Sequence, residues 1–163
     1  MSYEEESRKL ADYCRKCGGR CCIGDSITIS ENEMKRLKEE YDFETGVRET
    51  PCGKINTIKN LEDPSKKTPC FFLIENSCML KGRARPLSCR LFPLTFLMED
   101  NKPKFFLSDF CPYVKEVSQL KEWINEAIRQ AEEDLDSWTE EEKMARSFLH
   151  EKIHENRKHL IDI

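Results

Sequence analysis

Residues 14–22 read C-R-K-C-G-G-R-C-C, so four cysteines fall within nine positions. Five more follow at positions 52, 70, 78, 89 and 111, which gives nine cysteines in a chain of 163 residues. A C-x2-C step lets two sulfurs converge on one metal ion or cluster. Gly18 and Gly19 permit the tight backbone turn that such convergence needs. The stretch therefore predicts a metal site held by thiolates.

The composition predicts a thin apolar core. Hydrophobic residues make up 38% of the chain and charged residues 36%. A bound metal would then supply part of the folding free energy, about 10 kcal/mol or more for a structural zinc site. The length predicts one domain, 1–163, with a cysteine-cluster region at 10–113 and a helical extension at 114–163. The net charge of −4 lacks the basic excess of nucleic-acid binders, so we expect no nucleic-acid partner.

The start of the chain, MSYEEESRKL, has no basic segment followed by an apolar run. No stretch approaches the roughly 18 apolar residues of a membrane span. We therefore expect no signal peptide, no membrane association and a cytoplasmic location. Stable disulfides are rare there, and cysteine pairs more often bind metal or are redox-active.

Local patterns predict the first half of the chain. A short helix is expected over 3–13, before the cysteine loop, and a β-prone segment at 26–29. Ser30 and Glu33 form a capping box, which predicts a helix after Ser30. Residues 44–69 are expected to be irregular because glycine and proline recur there.

The second half predicts two short hairpins, over 69–80 and 95–107, followed by helices. Apolar residues three and four apart predict one helix after Pro112, and Thr139 with Glu142 caps another. The predicted fold class is α+β: a small cysteine-rich metal-binding domain with short β-hairpins and irregular loops, packed against a C-terminal helical pair.

The cysteines also form a longer pattern: C-x2-C-G-G-x-C-C, then P-C-x7-C, then R-P-x2-C-R-x-F-P, then C-P-Y. This pattern resembles the YkgJ-like cysteine-cluster family, which is described as a candidate for zinc or iron chelation. The resemblance runs from Cys14 to about Tyr113, and Cys52 lies outside it. It implies eight metal ligands: Cys14, Cys17, Cys21, Cys22, Cys70, Cys78, Cys89 and Cys111.

Eight thiolates can divide in several ways. They could form two four-ligand sites, one cluster with spare thiols, or a compact two-metal centre with bridging sulfurs. Cys21 and Cys22 are adjacent, and because neighbouring side chains usually point apart, they favour two nearby centres. Four cysteines suit zinc and iron–sulfur clusters alike.

The residue context favours an iron–sulfur cluster, with 4Fe-4S the preferred form and Zn²⁺ the alternative. A Cys-Pro step like Cys111-Pro112 closes one bacterial ferredoxin run. A cluster held by thiolates is negatively charged, and Arg83, Arg85 and Arg90 would offset that charge as cofactor-binding residues. Salt bridges to the many acidic residues are the alternative for these arginines.

The segment His150-Glu151-Lys152-Ile153-His154 spells H-E-x-x-H, a zinc-protease signature. Helix phase, with Phe148, Leu149 and Ile153 as the expected buried stripe, predicts that both histidines face solvent. We therefore expect no catalytic metal here.

The predicted function is electron transfer, or delivery of a cluster or metal, to a protein partner. One alternative is a zinc-binding structural or interaction module. Another is an accessory part of a cluster-dependent oxidoreductase or methylating system, since flagellin lysine methylases contain a similar cysteine region. The sequence shows no nucleophile–base arrangement and leaves open whether the protein is an enzyme.

Overall fold

The structure is a computed structural model, and it describes residues 1–18, 27–59, 70–75 and 77–163, without the side chain of Ser77. Helices and short antiparallel sheets form an α+β fold, which confirms the predicted class. None of the helices in these ranges is long and apolar enough to cross a lipid bilayer. The elements are α1 (Tyr3–Cys17), β1 (Ile27–Ile29), α2 (Glu31–Lys38), β2 (Thr45–Thr50), β3 (Gly53–Ile58), β4 (Leu73–Ile74), β5 (Ser77–Cys78), a 3-10 turn (Gly82–Ala84), α3 (Leu87–Leu91), β6 (Leu94–Glu99), β7 (Lys102–Ser108), α4 (Val114–Val117), α5 (Lys121–Leu135), α6 (Glu140–Ile153) and β8 (Leu160–Asp162).

The first helix is longer than the sequence predicts. It begins after a capping box at Ser2 and continues past residue 13 to Cys17. It ends at Gly18, whose φ of 74° is a left-handed conformation that glycine adopts without strain. Cys14 and Cys17 therefore lie on the last helical turn, one turn apart, and not in a loop.

The capping box predicted for α2 is confirmed. The backbone N–H of Glu33 donates to Ser30 Oγ (3.1 Å), and the N–H of Ser30 donates back to the Glu33 carboxylate (2.9 Å). Two helix-terminal donors are thus satisfied at the start of the helix.

The prediction of irregular structure over 44–69 was wrong for residues 45–58, which form β2 and β3. Strand β3 lies between β1 and β2, and both neighbours are antiparallel to it. Its Ile55 and Ile58 are buried. Pro51 lies in the tight turn between the strands, Gly53 begins β3, and Gly46 lies within β2. At Gly53 the φ of 133° and the nearby Cγ of Glu141 leave no room for a Cβ atom.

Both predicted hairpins are present. The first is a short pairing of β4 with β5. The second pairs β6 with β7 from Leu94↔Leu107 to Glu99↔Lys102. Strand β8, which pairs with the far edge of β7, was not predicted.

The C-terminal helical pair, α5 and α6, is confirmed, as is the Thr139–Glu142 capping box of α6. The stretch predicted as one helix after Pro112 is divided into α4 and α5, with a break between Val117 and Lys121. Helices α5 and α6 cover different parts of the molecule. Helix α5 packs on α1 and α3, and α6 packs across β3 and β6.

The buried apolar residues of the described ranges form two clusters. The large core contains Ile55, Leu87, Leu91, Leu94, Phe96, Leu107, Val117, Leu120, Trp123, Ile124, Ala131, Leu135, Trp138 and Ala145. The small core contains Ile29, Leu37, Phe43, Ile58, Cys70, Phe72 and Leu80. Strand β3 contributes to both.

Three buried glutamates join helices to one another. Each accepts a hydrogen bond from a backbone N–H in the first turn of a neighbouring helix, where such donors have no partner within the helix. A carboxylate is also favoured there by the helix dipole. The bonds run from Trp123 N to Glu6 (2.8 Å), from Leu87 N to Glu33 (2.6 Å) and from Glu31 N to Glu142 (2.7 Å).

Candidate metal centre

Six of the eight predicted cysteine ligands lie in the described residues. Cys21 and Cys22 lie outside them, in the segment that follows Gly18 and precedes Ile27. Cys14 is exposed and Cys70 is buried. The remaining four are partly exposed: Cys17, Cys78, Cys89 and Cys111.

The first and last cysteines of the pattern lie on segments that pack together. Tyr13, next to Cys14, stacks on Tyr113, two residues after Cys111, with ring centroids 5.2 Å apart. Both rings also contact the large core. The end of α1 and the turn after β7 are therefore neighbours, although almost a hundred residues separate them in the sequence.

Cys70 and Cys78 belong to one hairpin. The Cys70 carbonyl accepts a hydrogen bond from Leu73 N (3.0 Å), and Leu73 in turn pairs with Cys78 across β4 and β5. Cys70 is a member of the small core and Cys78 packs against that core. Both cysteines thus lie at the smaller of the two clusters, Cys70 inside it and Cys78 against it.

Cys89 lies on α3, whose Leu87 and Leu91 belong to the large core. The hydroxyl of Ser88, the preceding residue, lies 3.1 Å from that of Thr28 on β1. Strand β1 begins directly after the segment that contains Cys21 and Cys22. The segment that contains Cys89 therefore contacts β1, the strand that follows Cys21 and Cys22.

The donor chemistry fits a metal, although the described residues do not give a full ligand set. Cysteine sulfurs suit zinc and iron–sulfur clusters. Within 1–18, 27–59, 70–75 and 77–163, no three His, Cys, Asp or Glu side chains converge as metal ligands do. Cys21 and Cys22 remain predicted ligands outside these ranges.

The three predicted cofactor-binding arginines have different surroundings. Arg83 pairs with Glu133 (3.2 Å) and Asp134 on α5, and Arg90 also pairs with Asp134. Arg83 and Arg90 therefore form salt bridges, which were the alternative expectation for these residues. Arg85 donates to the Cys89 carbonyl (3.4 Å), and its buried Nε has no partner among the described residues.

Sequence reasoning missed a fourth arginine, Arg146 on α6, which is 1% exposed. Its Nε donates to Ser88 Oγ (3.1 Å) and its Nη1 to Thr95 Oγ1 (3.3 Å). Burial lowers its pKa to about 9, while nearby Glu33 and Cys89 act to raise it. Arg146 is thus a charged group in the interior, beside the Cys89 segment.

The one sequence signal for this position is helix phase. Arg146 lies four residues after the capping residue Glu142 and three before Leu149, so the three share one stripe of α6. Because arginine side chains are mostly exposed in folded proteins, the sequence alone predicts that this one faces solvent.

The expectation that His150 and His154 face solvent was wrong. His154 is 3% exposed, whereas Ile153, expected to be buried, is 40% exposed. His150 Nδ1 pairs with the hydroxyl of Thr95 (3.0 Å). The buried face of α6 is partly polar, and its polar groups have partners, so apolar residues alone gave the wrong helix phase.

The H-E-x-x-H motif does not form a metal site. One ring nitrogen of His154 bonds to the His150 carbonyl (2.6 Å) and the other to Ser108 Oγ (2.9 Å). Both of its possible metal-binding atoms are therefore engaged. Glu151 forms an ion pair with Arg157 (3.1 Å).

A family model described as "CxxCxxCC: Putative zinc- or iron-chelating domain" matches residues 13–122. The matched region begins at Tyr13 and extends past Cys111, so it contains all eight cysteines of the pattern. No curated protein and no solved structure matches the chain at a significant level.

Proposed function

We propose that the cysteines of this chain hold an iron–sulfur cluster. The premise is that the chain belongs to the CxxCxxCC family of zinc- or iron-chelating domains. The predicted ligands Cys21 and Cys22 are part of this proposal. When bound, such a cluster would supply one-electron chemistry. The role of the protein would be to pass electrons, or to deliver the cluster or its metal, to a protein partner.

The observation that supports this proposal most strongly is the stacking of Tyr13 on Tyr113 at 5.2 Å. It joins the segment of Cys14 and Cys17 to that of Cys111. A shared centre needs sulfurs from distant parts of the chain to approach one another, and this contact joins the two ends of the pattern.

The exposure of the cysteines supports exchange with a partner. Cys14 is exposed, and Cys17, Cys89 and Cys111 are partly exposed. Thiol exposure is one condition for reaction with an outside group. A site that only stabilises the fold is closed by its four ligands and needs no such access.

The decisive experiment is metal and sulfide analysis of the full chain, purified without oxygen and without a metal-affinity tag. We expect absorbance near about 400 nm from sulfur-to-iron charge transfer, with iron and acid-labile sulfide in comparable amounts. Cys89→Ser and Cys14→Ser should each lose this absorbance. Cys52→Ser is the matched control, because Cys52 is exposed, lies in the β2–β3 turn and is outside the pattern.

A colourless protein that holds zinc would overturn the iron–sulfur proposal and favour a zinc-stabilised module. The small core supports this second candidate, because a metal would add stability where apolar burial is limited. It has seven buried members among the described residues, and one of them is Cys70. A wild-type chain that holds neither metal would overturn both.

A further inference from the structure

Arg146 lies in the interior, and no described Asp or Glu side chain forms an ion pair with it. Its side chain packs over the Phe96 ring, with Cζ 4.3 Å from the ring centroid. Burying a charge without a partner is costly, so a group of opposite charge nearby would relieve a large penalty.

Two neighbours could offset that charge. Glu33 is near Arg146, but its two oxygens already accept from Ser30 N and Leu87 N. The other neighbour is the segment of Cys89, because Arg146 Nε donates to the hydroxyl of Ser88, the residue before Cys89 (3.1 Å). His150 also lies close, and its neutral form adds no charge, because burial and Arg146 lower its pKa.

We propose that Arg146 provides the buried positive charge that stabilises the loaded, negatively charged cysteine centre. The inference rests on the proposed function, since it needs Cys89 to be a ligand. A metal binds cysteine as the thiolate, and binding releases the thiol protons. A metal ion or iron–sulfur core held by four thiolates has a net negative charge. Loading therefore creates negative charge beside Arg146, and the attraction favours the loaded state.

The predicted effect has the same sign for either metal. For zinc, loss of the Arg146 charge weakens binding. For an iron–sulfur cluster, it weakens retention and also lowers the reduction potential, because an added electron is less well stabilised. Arg146 touches neither metal nor partner in this account, so it is a positioning residue of the centre.

The test measures zinc affinity of the metal-free, reduced full chain by competition with a chromophoric chelator at neutral pH. Arg146→Met should bind zinc about 10- to 100-fold more weakly, the usual effect of changing a residue behind the ligands. Arg146→Lys keeps the charge and should keep most of the affinity. Arg129→Met is the control, since Arg129 is exposed and pairs with Glu126 and Glu133 on α5.

A second measurement separates this role from a purely structural one. Replacing a buried charge by an apolar residue of similar length is often neutral or stabilising. Ser88 and Thr95 keep other partners, Thr28 and His150. Metal-free Arg146→Met should therefore unfold in urea at the wild-type midpoint or above it. If it does not fold, Arg146→Gln, which is polar and neutral, provides the comparison.

The outcomes are distinct. Weaker zinc binding by Arg146→Met with unchanged metal-free stability supports the inference. Equal zinc affinity of the wild type and Arg146→Met overturns it and leaves the proposed function standing. A wild-type chain that does not bind zinc or iron overturns the proposed function, and the inference with it.

Discussion

The large core and the small core differ in what stabilises them. The large core has fourteen buried members among the described residues, including both tryptophans, and α5 and α6 pack onto it. The small core has seven. Apolar burial contributes about 25 cal/mol per Å², so the large core has far more of this stabilisation. The comparison suggests that one region folds on its apolar contacts and the other depends on the cysteines.

The cysteines belong to both regions. Cys14, Cys89 and Cys111 lie on segments that pack on the large core, while Cys70 and Cys78 lie at the small one. A centre that used both groups would join the two cores. The free energy of metal binding would then stabilise chiefly the small core, as it stabilises small metal-dependent domains.

Metal removal should have the largest effect, and an unequal one. With a structural site contributing about 10 kcal/mol, chelation under reducing conditions should expose the amides of α2 and of the β4–β5 hairpin to hydrogen exchange. Tryptophan fluorescence should change little, because Trp123 and Trp138 both lie in the large core. Hydrogen exchange followed by mass spectrometry measures both regions at once. If the amides of β6 and β7 lost protection equally, the proposed difference in metal dependence between the two cores would be contradicted.

Truncating one buried side chain in each core gives the next largest effect. Phe72→Ala should cost about 3–5 kcal/mol and Ile124→Ala about 2–5 kcal/mol; each side chain is 1% exposed. Phe72→Ala should also weaken zinc binding, because Cys70 and Cys78 pack with it. Ile124→Ala should leave zinc affinity near the wild-type value. Urea unfolding and chelator competition measure the two quantities, and a matching loss of affinity in both variants would contradict the division.

The capping boxes of α2 and α6 provide a smaller, matched pair. Ser30→Ala in α2 and Thr139→Ala in α6 should each cost about 1 kcal/mol, within a range of about 0.5–2. Ser30 is fully buried, and its box partner Glu33 also accepts from Leu87 N in the cysteine-bearing α3. Ser30→Ala should therefore also lower zinc affinity, whereas Thr139→Ala should not. The same urea and chelator titrations test this, and equal zinc affinities would refute the link through Glu33.

The capping boxes also show which parts of the fold could be predicted from sequence. Each needs only a hydroxyl and a glutamate three residues apart; those at Ser30 and Thr139 were predicted, whereas the one at Ser2 was not. The β6–β7 hairpin was found for the same reason, since its turn at Asp100 and Asn101 is a local signal. The cysteine pattern identified the family because spacing is written in the sequence.

The features that were missed depend on contacts between distant residues. Strands β2 and β3 looked irregular because Pro51 and Gly53 mark loops as well as tight turns. Strand β8 has three residues and exists by pairing with β7. The buried state of Arg146 and His154 needs Ser88 and Ser108, which lie more than forty residues away. No local pattern predicts such partners.

The smallest predicted effect is a pH dependence that belongs to the large core. Burial first, then Arg146 and His154, lower the pKa of His150 well below 6.5. The folded chain therefore keeps His150 neutral while the unfolded chain protonates it near 6.5. Stability is full above that pH and falls as the pH drops, by up to about 0.7 kcal/mol between about pH 7 and about pH 6.

Substituting His150→Gln should remove part of this pH dependence. The variant keeps a polar group for Thr95 but does not titrate. Using the metal-free chain excludes the protons that cysteines exchange on metal binding, and urea unfolding followed by tryptophan fluorescence reports the large core. His154, whose pKa is also lowered by burial, should maintain a weaker dependence in the variant. If the stability of the wild type and of His150→Gln changed with pH by the same amount, the acid sensitivity would arise from other residues. The burial of His150 against the large core would then contribute no pH dependence.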